Sequence, residues 1–319
     1  MTTRYRTVTA TAIVVAVGMA TAGCGRYSVG ALKGQKAYKD ANELYRTSQW
    51  KDAAEKYEYV LQQDPSRSEV YFYLANSYDN AYKPSRAGEP ENDSFIQKAI
   101  QNYRKAAEVD AKPEMKKLAL QYLVAAYGPD KLNDPNQAEP IVQEMIRLAP
   151  NDAGNYFALA RIYEDAGRYD EAEAALLKAR DSNPEDVTVY VQLSGYYNRQ
   201  GQFDKTIEAL NKAAEIKPDD PQGHQLVATY YWEKAFKDHT LAPAAKKNYI
   251  MAGIEATDRA LKLNPDYAEA LTYKNILLRM QANMETDLGK RAQLIRTADE
   301  IKARAMELQA KAAGTAKPK

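Results

Sequence analysis

Cys24 is the only thiol in 319 residues, and it stands where an apolar run ends. One cysteine can close no internal disulfide and cannot alone supply a structural zinc site, so its chemistry must point outward from the chain. The two histidines, His224 and His239, are far apart. His239 has only Asp238 beside it, and His224 falls at an apolar-face position where a packed core histidine is expected. Asp219 and Asp220 stand between helical segments, as caps or solvated groups. No glycine-rich phosphate loop follows a strand, no G-x-S-x-G elbow occurs, and Cys24 has no histidine partner. The residues therefore point to a non-enzymatic chain with no metal and no cofactor.

Tyrosine is heavily favoured over the other aromatics, 24 against 5 Phe and 2 Trp. Its ring suits half-buried sites that need an apolar body and one wet end. Formal charge is +1, and losing Arg4 and Arg6 with the first 23 residues takes it to −1. Phosphate backbones demand a basic footprint, so nucleic acid is excluded as the expected partner.

Arg4 and Arg6 precede an apolar run from Val8 to Ala22 that ends in small residues. A positive start, a short apolar middle and small residues before the cut describe an export signal over residues 1–23. As a helix the run rises about 22 Å, short of an apolar bilayer core of about 30 Å. Thr21-Ala22-Gly23-Cys24 resembles a bacterial lipobox, in which cleavage before the cysteine frees its thiol to carry diacylglycerol. Thr21 departs from that motif, which prefers a large aliphatic residue there, and Gly25 is not the Asp of inner-membrane retention. The resemblance implies lipidation at Cys24, a tether over residues 24–33, and an exported protein held at the cell envelope. In a Gram-negative cell that place is the periplasmic face of the outer membrane. The alternative is ordinary secretion with a free thiol left over.

The elements that follow repeat with a period of 34 residues. Tyr156 meets Tyr190, Leu159 meets Leu193, Tyr163 meets Tyr197 and Tyr231, and Gly167 meets Gly201. Tyr169 meets Phe203, Ala179 meets Ala213, and Pro150, Pro184 and Pro218 keep step. Tyr156, Leu159, Ala160 and Tyr163 mark one apolar face of a first helix. Gly167 supplies the left-handed residue that ends it, Tyr169 is expected to reopen the apolar face, and Asn183 before Pro184 stops the second helix.

This pattern resembles the tetratricopeptide repeat. The resemblance implies an all-α fold, a right-handed α-solenoid of stacked antiparallel helix pairs, with about 14 helices. It covers residues 34–284 as six repeats and the start of a degenerate seventh. Residues 285–311 are expected as a capping helix and 312–319 as a disordered tail. Insertions interrupt the rhythm at 80–94 and 234–249, either as binding loops or as longer helices joined by a solvated turn.

In this family the first helices of successive repeats line a concave groove for a partner's peptide. Transferring that layout makes Tyr38, Asn42 and Tyr45 candidates in the first copy, and Phe72, Asn76 and Asp79 in the second. Later copies offer Phe157, Arg161 and Glu164, then Asn198 and Arg199, then Thr229 and Trp232, and finally Arg279. Aromatic and arginine side chains of this kind anchor interfaces. Asn42 and Asn76 resemble the family's clamp for C-terminal carboxylates, but the accompanying Lys and Arg positions are not met.

The resulting expectation is a lipid-anchored adaptor that binds a protein or peptide at the bacterial envelope. Outer-membrane assembly, pilus or secretin biogenesis and polysaccharide export are the settings the resemblance implies. A self-assembling spacer is the structural alternative. An envelope enzyme is the other, although the repeats leave no room for a catalytic domain. Oligomeric state stays open.

Overall fold

The computed structural model describes residues 29–110 and 112–315, and Cys24 with its leader lies outside them. Among the described residues there are 14 α-helices and no strand. They divide into two units, one through Leu148 and one from Ala149, where the sequence suggests one unbroken array.

The first unit contains α1 (Val29–Arg46), α2 (Trp50–Gln63), α3 (Ser68–Ala81), α4 (Pro90–Val109), α5 (Pro113–Ala126) and α6 (Pro135–Leu148). Each helix packs on the next in the chain, and α3 also touches α5. Small residues let the helices approach: Ala41, Ala53, Ala54 and Ala75 are fully buried beside Tyr57, Val60 and Val70. α1 begins at Val29, so the expected tether is partly helical. Most of the 80–94 insertion is absorbed by the start of α4 and a single 3-10 turn at Pro84–Arg86. Buried Asn92 ties down the rest, accepting from the Lys83 amide at 2.8 Å and donating to the Lys83 and Arg86 carbonyls.

The second unit contains α7 (Ala153–Asp165), α8 (Tyr169–Ser182), α9 (Val187–Arg199), α10 (Phe203–Ile216) and α11 (Pro221–Lys237). It continues with α12 (Pro243–Leu263), α13 (Ala268–Met284) and α14 (Leu288–Thr315). Sequential helices again pack pairwise, and α11 also meets α13. The 234–249 insertion proves to be longer helices, with only residues 238–242 between α11 and α12.

The 34-residue period has a physical cause at each point. Asp152, Asp186 and Asp220 cap α7, α9 and α11, each accepting from the amide two residues on at 2.8–3.0 Å. Such caps satisfy donors that a helix start leaves unpaired. Gly167 and Gly201 adopt φ of 72° and 70°, and the amides that follow them reach back to the Tyr163 and Tyr197 carbonyls. Tyr156 and Tyr190 bury their rings and donate their hydroxyls to the Pro150 and Pro184 carbonyls, both at 3.0 Å. That is the wet end for which tyrosine suits the site. His224 occupies the corresponding place in α11, half-buried, with burial and then Arg259 holding its pKa below the usual value. Tyr169 departs from the expected pattern: the residue is 49% exposed, and its carbonyl accepts from the Tyr196 hydroxyl.

Candidate partner-binding faces

In the first unit, the candidate side chains of α1 and α3 turn on one another. The Tyr45 hydroxyl donates to Asn76 Oδ1 at 2.7 Å, and Asn76 Nδ2 donates to the Tyr103 hydroxyl at 3.1 Å. Tyr103 in turn donates to Asp79 Oδ2 at 3.3 Å. Asp79, its side chain only 5% exposed, holds Lys131 Nζ at 2.5 Å. Burial, then the Asp79 charge, pushes the Tyr103 hydroxyl pKa well up. Tyr57 donates to Asn42 Oδ1 at 2.7 Å.

The rings extend this network. Tyr45 meets Tyr73 edge-on at 5.5 Å, Phe72 meets Tyr122 edge-on at 5.4 Å, and Tyr38 lies 6.4 Å from Tyr57. Phe72, Asn76 and Asp79 are buried, and so they form the wall of this unit where groove-facing groups were expected. Asn76 is 5% exposed and gives one of its amide N–H groups to Tyr103, so it is turned into the unit, whereas a carboxylate clamp needs it at the surface. Lys131 was not a candidate. A lysine in the turn after α5 carries no local signal of burial, and its partner stands 52 residues away.

In the second unit the candidates of α7 and α9 stay at the surface. Arg199 Nε and Nη2 donate to the two carboxylate oxygens of Glu164 at 2.6 and 2.9 Å, joining α9 to α7. Arg161 is exposed and pairs with Asp165 at 2.9 Å. Asn198 is exposed and Phe157 half-buried. Gly195 stands in mid-α9, where an added Cβ would meet the Arg199 Nη1 at 3.4 Å. Thr229 bonds within α11, donating to the Gln225 backbone carbonyl and accepting from the Gln225 side-chain Nε2.

The remaining candidates face other tasks. Trp232 stacks on Phe236 at 5.6 Å and meets Tyr273 edge-on at 5.5 Å, with Nε1 buried and lacking an acceptor. Arg279 donates to Asn275 Oδ1 at 3.0 Å and pairs with Asp299 of α14, which directs it to the last helix pair. A depression of about 810 Å³ beside α8, α9 and α10, lined by Leu177, Leu193 and Ile207 with Glu173, Arg180 and Lys205, was not anticipated. Among the described residues no group of three or more His, Cys, Asp or Glu is placed to hold a metal ion. No described helix is long and apolar enough to cross a membrane.

A tetratricopeptide-repeat family model matches residues 38–91, 130–179 and 157–221, so these stretches are tetratricopeptide repeats. No curated relative matches the sequence. Among solved structures, the C-terminal part of a TPR repeat-containing protein from Cytophaga hutchinsonii is similar, at 15% identity and a TM-score of 0.51. The match covers 85% of this chain and 98% of that one. A tetratricopeptide repeat protein from Parabacteroides merdae is 12% identical over 86% of this chain and 99% of its own, with a TM-score of 0.45. YrrB, a TPR protein with an unusual peptide-binding site, is 21% identical over 57% of this chain and 86% of its own, with a TM-score of 0.39. The Cytophaga protein supports an all-helical repeat architecture over most of this chain.

Proposed function

We propose that this chain is a lipid-anchored, non-enzymatic scaffold that holds an extended segment of a partner protein across α7 and α9 at the bacterial envelope. The surface around Gly195 carries the reading. A glycine inside a helix is less favourable than alanine by about 1 kcal/mol. Nothing but an arginine tip crowds the space its side chain would fill. Such a residue lets another backbone approach closely. Asn198 and Arg199 follow Gly195 by about one helical turn, and the Arg199–Glu164 pair carries this polar surface on to α7, offering donors and an acceptor to a partner's main chain.

The anchor rests on Thr21-Ala22-Gly23-Cys24. A diacylated cysteine followed by a tether of at most about 35 Å would keep the first repeats close to the lipid surface. Outer-membrane assembly, pilus or secretin biogenesis and polysaccharide export are the settings the family resemblance suggests, and the partner's identity selects among them.

Two measurements test the parts separately. Incorporation of labelled fatty acid should vanish in Cys24→Ala, and unchanged labelling removes the anchor. A photoreactive residue at Asn198 in native membranes should yield one discrete heterologous adduct, reduced in Gly195→Leu with helicity unchanged. Adducts only between copies of the chain would replace the adaptor by a self-assembling spacer.

A further inference from the structure

We propose that the edge of the second unit where α11 turns into α12 and α13 into α14 makes direct contact with an anionic bilayer surface. Both hairpin turns lie at this edge, because α11 and α13 run side by side and end there. Phe236, at the last turn of α11, is 56% exposed, and Leu288, at the start of α14, is 78% exposed. Phe236 does not hang free: its ring stacks on Trp232, which meets Tyr273 edge-on and, with Met280 and Met284, packs on the cluster of Ala235, Ile250 and Leu277. The aromatic tip is therefore presented outward from a fixed base.

Cations surround the two apolar tips. Lys234 and Lys237 are paired, with Asp238 and Glu233. Lys246, Lys247, Lys290 and Arg291 make no ion pair among the described residues, and Lys247, Lys290 and Arg291 are exposed. Glu285 and Asp287 lie in the α13–α14 turn, and His239 in the α11–α12 turn. Glu285 is held below the usual carboxylate range, first by the Asp287 amide, with Lys290 and Lys247 contributing, which places both lysines near one carboxylate. Asp287 accepts the Lys290 amide at the start of α14. Exposed Phe and Leu beside unpaired Lys and Arg is the combination that suits a headgroup boundary, where rings and chains enter the acyl margin and cations meet lipid phosphates. Lys247 and Lys290 share the Glu285 carboxylate, and lipid phosphate supplies the further counter-charge that this cation cluster takes.

This contact goes beyond the scaffold reading and needs neither the partner segment nor an acylated Cys24. The test places a photoreactive benzoylphenylalanine at Phe236 of the full chain, with vesicles of phosphatidylcholine alone or mixed with phosphatidylglycerol. Lipid adducts are expected on the mixed vesicles and to fall at least about ten-fold on the neutral ones. The variant K247Q/K290Q/R291Q should weaken binding to the mixed vesicles about 100-fold, some five-fold per cation, with an unchanged helical melt. Phe236→Ser, which leaves every charge in place, should lower binding too. Running the set in Cys24→Ala separates the two membrane claims: the Phe236 adduct should be retained there, and fatty-acid label that persists in that variant fails the anchor alone. Equal adducts on neutral and anionic vesicles, indifference to the triple variant, or adducts with an acidic protein in place of lipid would each overturn the contact.

Discussion

Arg199 grips Glu164 through both carboxylate oxygens, at 2.6 and 2.9 Å, and so fastens the exposed faces of two successive repeats to each other. The Glu164 side chain is 13% exposed, the Arg199 side chain 51%. Exposed ion pairs contribute little, but a two-point arginine grip with one end sheltered belongs at the upper end of that range, about 1 kcal/mol. A double-mutant cycle with Arg199→Ala and Glu164→Ala, read by urea unfolding, should return that coupling. Additive effects of the two changes would mean that the pair does not tie α7 to α9.

The tyrosine-to-proline-carbonyl bonds predict a second result. Tyr156→Phe and Tyr190→Phe should each cost about 1 kcal/mol, because each removes one donor and leaves the ring in place. His224 stands at the equivalent position with no such bond to Pro218 among those found. Changing His224 to Tyr should therefore stabilise the repeat that begins with α11 by about 0.5–1 kcal/mol. Urea midpoints of the three variants check this, and a destabilised His224→Tyr would show that α11 leaves no room for the ring.

Why some of this was legible in the sequence follows from distance along the chain. Caps, glycine turns and the Tyr156-Leu159-Ala160-Tyr163 face depend on neighbours within a repeat, and all four face residues are buried as their spacing requires. Asn76 and Asp79 look like groove residues by register, yet α4 and the turn after α5 supply Tyr103 and Lys131 to receive them. No local pattern reports such a meeting. Tyr169 and Phe203 share a register, but Tyr169 keeps its ring outside while Phe203 packs on Tyr231 and Tyr249. Arg199 and Glu164 were both candidates, and their pairing needed coordinates.

The tyrosines predict an alkaline limit. Burial, then a hydrogen bond to Glu58, pushes the Tyr78 hydroxyl up to about 12, and burial raises Tyr57 and Tyr197 as well. The folded chain keeps protons that the unfolded chain releases near pH 10, so this stability is intact below about pH 10 and is lost as pH climbs through about 12. Helicity should collapse cooperatively in that window together with tyrosinate absorbance. Tyr78→Phe should shallow the transition by about one proton. Tyrosines titrating freely near pH 10 with helices intact would contradict the buried network.

Asp79 and Lys131 give the sharpest test, because the acid is almost wholly enclosed. Lys131→Met leaves a buried carboxylate with only the Tyr103 hydroxyl, and losing one partner of a buried pair costs about 3–5 kcal/mol. Asp79→Asn keeps the shape and removes the buried charge. It should cost less, and combined with Lys131→Met it should recover most of the loss, since no uncompensated charge then remains inside. Thermal melts of the four chains at neutral pH decide the matter. A Lys131→Met variant as stable as the wild type at neutral pH would show that the lysine is a surface group and that the α5–α6 turn is not pinned to α3.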